Sequence, residues 1–164
     1  MSRIKTYIGG TGKVGQVVQT VKTDVFSTTS TSFVDVTGLT RAITPTATSS
    51  KILVDVRLAV SSTDNSISSK LFRGSTQIAL GDAASNRSRS FGASAYSGGI
   101  GDTQQMPYNT MFLDSPNTTS ETTYKCQMWM ENTSDLHINR ARTYTDQNTY
   151  TTAVSTLTLY EIQG

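Results

Sequence analysis

The chain offers little reactive chemistry: one histidine, His137, one cysteine, Cys126, and twelve carboxylates with no obvious cluster. A nucleophilic triad would have to use His137. It lies in Leu136-His137-Ile138-Asn139-Arg140, where alternation sets Leu136 and Ile138 on one face and His137 on the other. That pattern predicts a strand-surface or intersubunit histidine. A structural or catalytic zinc needs three or four nitrogen, sulfur or carboxylate ligands, and Cys126 with His137 falls short. Asp64, Asp102 and Asp146 stand beside Asn, Gly or Gln in turn-like sequence, where capping is the ordinary role of aspartate. Gly10-Thr11-Gly12-Lys13-Val14-Gly15 has the spacing of a dinucleotide loop, but a β-prone run follows it where a helix must meet the pyrophosphate. Lys13 is followed by Val14, so the hydroxyl that a P-loop gives to magnesium is missing. No catalytic residue, cofactor or metal is expected.

Binding chemistry is better represented. Arg87-Ser88-Arg89-Ser90-Phe91 and Arg140-Ala141-Arg142-Thr143-Tyr144 each place two arginines and a ring at alternate positions. If extended, each would project its guanidiniums and ring onto one face. Arginine pairs with carboxylates and stacks on rings, and it is enriched with aromatics at interfaces. Arg87, Arg89, Phe91, Arg140, Arg142 and Tyr144 are therefore candidate contacts to an acidic protein surface or a glycan. The alternative is a solvated strand face with weak local ion pairs. Residues 1–15 are polar, basic and glycine-rich and read as an extended arm, with Arg3, Lys5, Tyr7 and Lys13 as its candidate contacts. The segment from Gly81 to Tyr108, long and poor in aliphatics, is expected to be a loop that meets a partner.

The scaffold that must position these groups is legible from composition. Only 35% of the 164 residues are hydrophobic and 16% charged, while 28 are Thr and 21 Ser. Threonine favours the half-buried surface of a strand; serine and glycine favour turns. Ile52, Val54, Val56, Leu58 and Val60 alternate with Asp55 and Arg57. Tyr124, Cys126, Met128 and Met130 alternate with Lys125, Gln127 and Trp129. Leu157 and Leu159 oppose Tyr160 and Ile162, so both faces of this last segment carry apolar groups and one is free to meet another subunit. Further strands are expected at Gln16–Thr23, Ser32–Val36, Ile67–Phe72, Thr76–Leu80, Met111–Leu113 and Leu136–Thr143, with Arg73-Gly74-Ser75 as a tight hairpin. No helical period is evident. The expectation is an all-β protein: an antiparallel, jelly-roll-like β-sandwich of about eight to ten short strands over residues 16–164, behind an arm at 1–15.

The net charge of +2 and pI near 8.7 are too mild for a nucleic-acid binder. No apolar run is long enough to span a bilayer, and no h-region follows the basic N-terminus. Production in a cytoplasm is expected.

Several runs resemble the β-sandwich modules of tailed-bacteriophage virion proteins of the marine type. They are Gly15 to Thr23, Phe26 to Leu39, Ile43-Thr44-Pro45, Ser49 to Val54, Phe72 to Thr76, Phe112 to Pro116 and Ser155 to Ile162. The resemblance runs from about residue 14 to the end and transfers no site residues. It implies a structural component of a virion assembled in the host cytoplasm. Two positions fit: a decoration or cement protein gripping the major capsid protein, or a tail- or head-fibre tip that binds a host receptor or glycan. The short chain and its arm favour decoration. Protecting strand edges favours a homo-oligomer, with a trimer expected.

Overall fold

The computed structural model describes residues 12–62, 66–94, 103–131 and 135–163. Among them are eleven strands and no helix: β1 (Lys13–Lys22), β2 (Phe26–Thr28), β3 (Val34–Ile43), β4 (Lys51–Ser62), β5 (Ile67–Arg73), β6 (Thr76–Ile78), β7 (Gly92–Ser94), β8 (Met106–Asp114), β9 (Thr122–Met130), β10 (Leu136–Ile138) and β11 (Ser155–Gln163).

All pairings are antiparallel and form two sheets. In sheet A, β11 and β8 both pair with β4 over Ile52–Arg57, so they lie on opposite sides of it. With β1 outside β11, the order is β1-β11-β4-β8. The short β10 and β2 continue from the far end of β4, where Val60 pairs with Ile138. Sheet B runs β3-β9-β5, with β6 and β7 along the outer edge of β5. The long strands cross repeatedly from one sheet to the other, and the orders β1-β11-β4-β8 and β3-β9-β5-β6 are those of a jelly roll. The protein is an all-β antiparallel sandwich.

Packing follows the period of two. Ile52, Val54, Val56, Leu58 and Val60 point inward from β4, and Tyr124, Cys126, Met128 and Met130 from β9; all nine are essentially solvent-free. Leu157, Leu159, Ile67 and Leu71 complete the same core. Each such side chain contributes about 1.5–3 kcal/mol on burial. Cys126 belongs to this core, and burial pushes its thiol up to about 12, so it is an inert packing group.

The sequence pattern misplaced several boundaries. β1 begins at Lys13, so it takes in the last three residues of the expected arm and pairs Lys13 with Gln163. Thr37-Gly38, a turn-like pair just past the strand expected at Ser32–Val36, is a bulge inside β3: the register to β9 shifts between Asp35 and Thr40, and Gly38 takes a φ of 82° that suits glycine. The strand expected at Leu136–Thr143 stops at Ile138, because Asn139 adopts a left-handed φ of 66°. The stretch from Gly81 to Tyr108, expected as one loop, contains β7 and the start of β8. The hairpin at Gly74-Ser75 is present, with Arg73 opposite Thr76 and Gly74 at a φ of 58°.

Three buried polar centres close the ends. Asp114 of β8 accepts two bonds from Arg73 Nη1 at 3.1 and 2.9 Å and one from the Tyr124 hydroxyl at 2.7 Å, bridging the sheets. Burial, and then the Asp114 carboxylate, hold the Tyr124 phenol well above its usual range. Asn139 donates through Nδ2 to the carbonyls of Lys22 and Asp24 and accepts from Ser155 Oγ at 2.6 Å. Its backbone N–H bonds Ala59 O, and its carbonyl accepts from Ala153 N. One residue thus joins the exits of β1 and β10 to β4 and the entry of β11. Glu161, fully buried in β11, accepts from Thr46 N and Thr46 Oγ1 at 2.7 Å and from Gln16 Nε2 at 2.8 Å. It fastens the loop between β3 and β4 onto sheet A. Burial alone would raise the pKa of Glu161, but the hydroxyls of Ser50 and Thr46, the Thr46 amide and the Gln16 amide outweigh it and bring the carboxyl down to about 2.

Two predictions follow from these centres. Asn139→Ala loses buried bonds and puts alanine, which tolerates a left-handed φ less well than asparagine, at this position, and should cost about 3 kcal/mol or more in chemical denaturation. Asn139→Gly relieves the backbone part and should be about 1 kcal/mol less damaging; equal losses would mean the backbone is unstrained. For Glu161, the folded pKa near 2 lies below the ordinary 4.5. Its stabilisation is therefore full above pH 4.5 and drains away as pH falls towards 2. Glu161→Gln should lower stability at neutral pH by about 1–3 kcal/mol and flatten the acid limb of the stability curve, measured by denaturation across that range.

Candidate interaction surface

The outer faces of the two sheets differ in kind. On sheet B, polar and aromatic groups are mutually engaged. Phe33 stacks on Trp129 at 5.9 Å, Lys70 Nζ sits 4.0 Å above the Phe33 ring, and Trp129 Nε1 donates to Thr31 O. Asp35 takes Lys125 Nζ and Gln127 Nε2, each at 2.8 Å. This face is finished against water.

Sheet A presents an apolar row instead. Val17 pairs with Tyr160, Tyr160 with Leu53, and Leu53 with Leu113, so four apolar side chains lie in register across four strands on one face. Val14 and Ile162 pair beside them, and Met111 lies next to Leu113 along β8 on the same face. Val14, Val17, Met111 and Leu113 are 56%, 52%, 57% and 47% exposed. Among the described residues, the one ion pair on this face joins Arg57 Nε to Asp55 at 3.0 Å. A contiguous apolar patch on an otherwise hydroxyl-rich surface marks a contact site.

The residues singled out from the sequence separate into three groups. Arg3, Lys5 and Tyr7 lie outside the described residues. Lys13 is exposed on β1 rather than on an arm. Arg87, Arg89 and Phe91 do not share an extended face: the chain turns at Ser85, where φ is 48°, and Arg87 N bonds Ala84 O. Arg89 Nε instead braces Gly81 O at 2.6 Å, while Phe91 is half-buried, edge-on to Phe112. Arg140 and Tyr144 do come together, the guanidinium 4.9 Å over the ring, but in a turn rather than a strand. Arg140 Nε and Nη2 donate to the carbonyls of Ala141 and Arg142, and Arg142 is exposed. The alternating-face expectation fails at both sites because each segment is paired only at one end, Phe91 N to Ser69 O of β5 and Arg140 to Thr152, and the residues between are not held extended.

His137 points away from the Leu136 and Ile138 face of β10, between Ser27 and Ser61, but it is buried at 6% exposure rather than on the expected strand surface, and its Nδ1 is 2.7 Å from Ser27 Oγ. Burial, and then Arg140, push the imidazole below its usual pKa. Among the described residues no three of His, Cys, Asp and Glu cluster to hold a metal. Sequence reasoning missed the Asp114, Asn139 and Glu161 centres, since their partners lie far away along the chain. It glimpsed the apolar row only through Tyr160 and Ile162.

The fold and surface define a jelly-roll sandwich with one finished and one apolar sheet face. No protein-family profile matches the sequence, and no curated protein matches it. Among solved structures, the chain is similar to a chain of the infectious bursal disease virus Gt strain, at 13% identity over 91% of this chain and 38% of that one, with a TM-score of 0.39. It is also similar to the VP2 subviral particle of infectious bursal disease virus, at 11% identity over 92% and 42%, with a TM-score of 0.32. The chain therefore spans about two fifths of each.

If the row is a contact surface rather than part of the core, Val17→Lys with Leu113→Lys should leave monomer stability within about 0.5 kcal/mol per site. The same pair should abolish concentration-dependent association in sedimentation equilibrium. A large loss of stability would instead make the row structural.

Proposed function

We propose that the protein is a non-enzymatic structural component of a bacteriophage virion, a decoration or cement protein that works by contact area. The observation that carries this reading is the register-matched row Val17–Tyr160–Leu53–Leu113. It is an adhesive surface on a rigid slab, and it needs no reactive group. Second copies of the chain are its proposed occupant, the row of one copy meeting a different patch of the next, as a closed three-fold ring requires.

Size supports an assembly with more than one contact. Four strands about 4.8 Å apart and about 30 Å long present roughly 600 Å² per copy, short of the ~800 Å² of a standard interface. Residues 1–11, at up to ~3.5 Å each, can reach up to ~38 Å from the start of β1. In this reading they supply the remaining grip, on the shell, with one end of the sandwich. A trimer is the proposed oligomer, and the major capsid protein the proposed shell partner.

Two measurements test the proposal. Counting copies in purified particles by cryo-electron microscopy should give a number that tracks the shell's subunits; a number that tracks the tail fibres would overturn the decoration reading in favour of a fibre tip. Deleting residues 1–12 should leave the sandwich folded but weaken binding to empty shells. Undiminished shell binding would remove the arm from the mechanism.

A further inference from the structure

The segment after β10 folds back on itself and builds a second feature, independent of where the chain sits in a particle. Arg140 bridges to Thr152, Gln147 N bonds Thr145 O, and Tyr150 N bonds Gln147 O. From outside, Gln105 Nε2 holds Thr151 O at 2.7 Å. The fold-back encloses a cleft of ≈ 350 Å³ lined by Tyr144, Thr145, Asp146, Gln147, Tyr150 and Thr152. This volume lies within the range of small-ligand sites, but the lining is more polar than a drug-like pocket.

We propose that this cleft binds a neutral saccharide, one or two hexose units at the end of a glycan. Two rings, a carboxylate, an amide and threonine hydroxyls converge there. A sugar offers that combination its own counterpart: C–H faces for rings, and vicinal hydroxyls for Asp146 and Gln147. Among the described residues, neither Asp146 nor Gln147 uses its side chain in an internal hydrogen bond, so both are open to ligand. Tyr144, 46% exposed, is pre-set by Arg140, whose guanidinium covers the ring while its N–H groups are tied to Ala141 O and Arg142 O. A ring already fixed loses little freedom on binding. The Asp146 carboxylate in the lining selects against acidic sugars and for neutral ones with paired hydroxyls.

Other aromatic positions are less suited. Tyr108 is buried, with its hydroxyl on Ser69 Oγ, and Trp129 is stacked on Phe33 with its indole N–H engaged. The proposal therefore rests on the loop at 141–152 alone.

The test is a titration of the full chain, followed by amide and aromatic NMR, with the methyl glycosides of glucose, galactose, mannose and N-acetylglucosamine. At least one should bind in the millimolar range and shift Tyr144, Gln147 and Tyr150. Tyr144→Ala and Asp146→Ala should each weaken that binding by at least about tenfold, with the melting temperature unchanged. Because Tyr144→Ala could disturb the loop, Gln147→Ala serves as a second variant and should weaken binding while leaving the Tyr144 resonances in place. No response to any of the four sugars would overturn the proposal. So would shifts centred on Phe33 and Trp129, or binding that survives both Tyr144→Ala and Asp146→Ala. Shell binding should be untouched by these variants, which separates this site from the decoration function.

Discussion

The structure depends on one constraint: the even-numbered side chains of β4 must face the even-numbered side chains of β9 across a dry interface. Ile52, Val54, Val56, Leu58 and Val60 on one side and Tyr124, Cys126, Met128 and Met130 on the other are excluded from water almost completely. Because the strand period is two, this choice also fixes what points outward: Leu53, Asp55 and Arg57 from β4, and Lys125, Gln127 and Trp129 from β9. A slip of one residue would exchange the two sets. The character of both outer faces is therefore a consequence of the core.

Given that constraint, the outer faces have taken opposite solutions. Sheet B carries charges and rings that satisfy one another, as in the Lys70–Phe33–Trp129 stack and the Asp35 pair of bonds. Sheet A carries valine, tyrosine and two leucines in a single register row. Nothing in the internal packing requires that row to be apolar, since the neighbouring positions Gln19, Thr156 and Asn109 show that polar residues fit the same face. An apolar face with no internal reason is best explained by an external one.

A small, hydroxyl-rich sandwich also has to hold its ends closed, and it does so with buried polar groups rather than additional hydrophobic ones. Asp114, Asn139 and Glu161 each collect bonds from strands or loops distant in sequence. Each is a point where the low dielectric of the interior makes a satisfied bond count and an orphaned one costly. Their combined effect is a body whose loops are stitched to its sheets. A protein that acts by contact must present a fixed surface, because ordering a mobile one would weaken every interface it forms.

The sequence by itself determined the all-β class and the inward faces of β4 and β9, because strand alternation is a local property that survives without its partners; on β11 both faces are apolar, and only the structure shows Leu157 and Leu159 turned inward. It also placed the hairpin at Gly74-Ser75, where turn chemistry is local. It could not reveal the short β2 and β7, which have too few residues to show a period and exist only through their pairing with β10 and β5. Nor could it show that Gly38 lies in a bulge, that Asn139 ends a strand, or that Arg89 and Arg140 turn back onto carbonyls of their own loops. The apolar row needed the tertiary structure most. Val17, Leu53, Leu113 and Tyr160 stand far apart in the chain, and each alone is an ordinary strand residue. Only the antiparallel register of four strands sets them side by side, and register is decided by the packing of the whole sandwich rather than by any one segment.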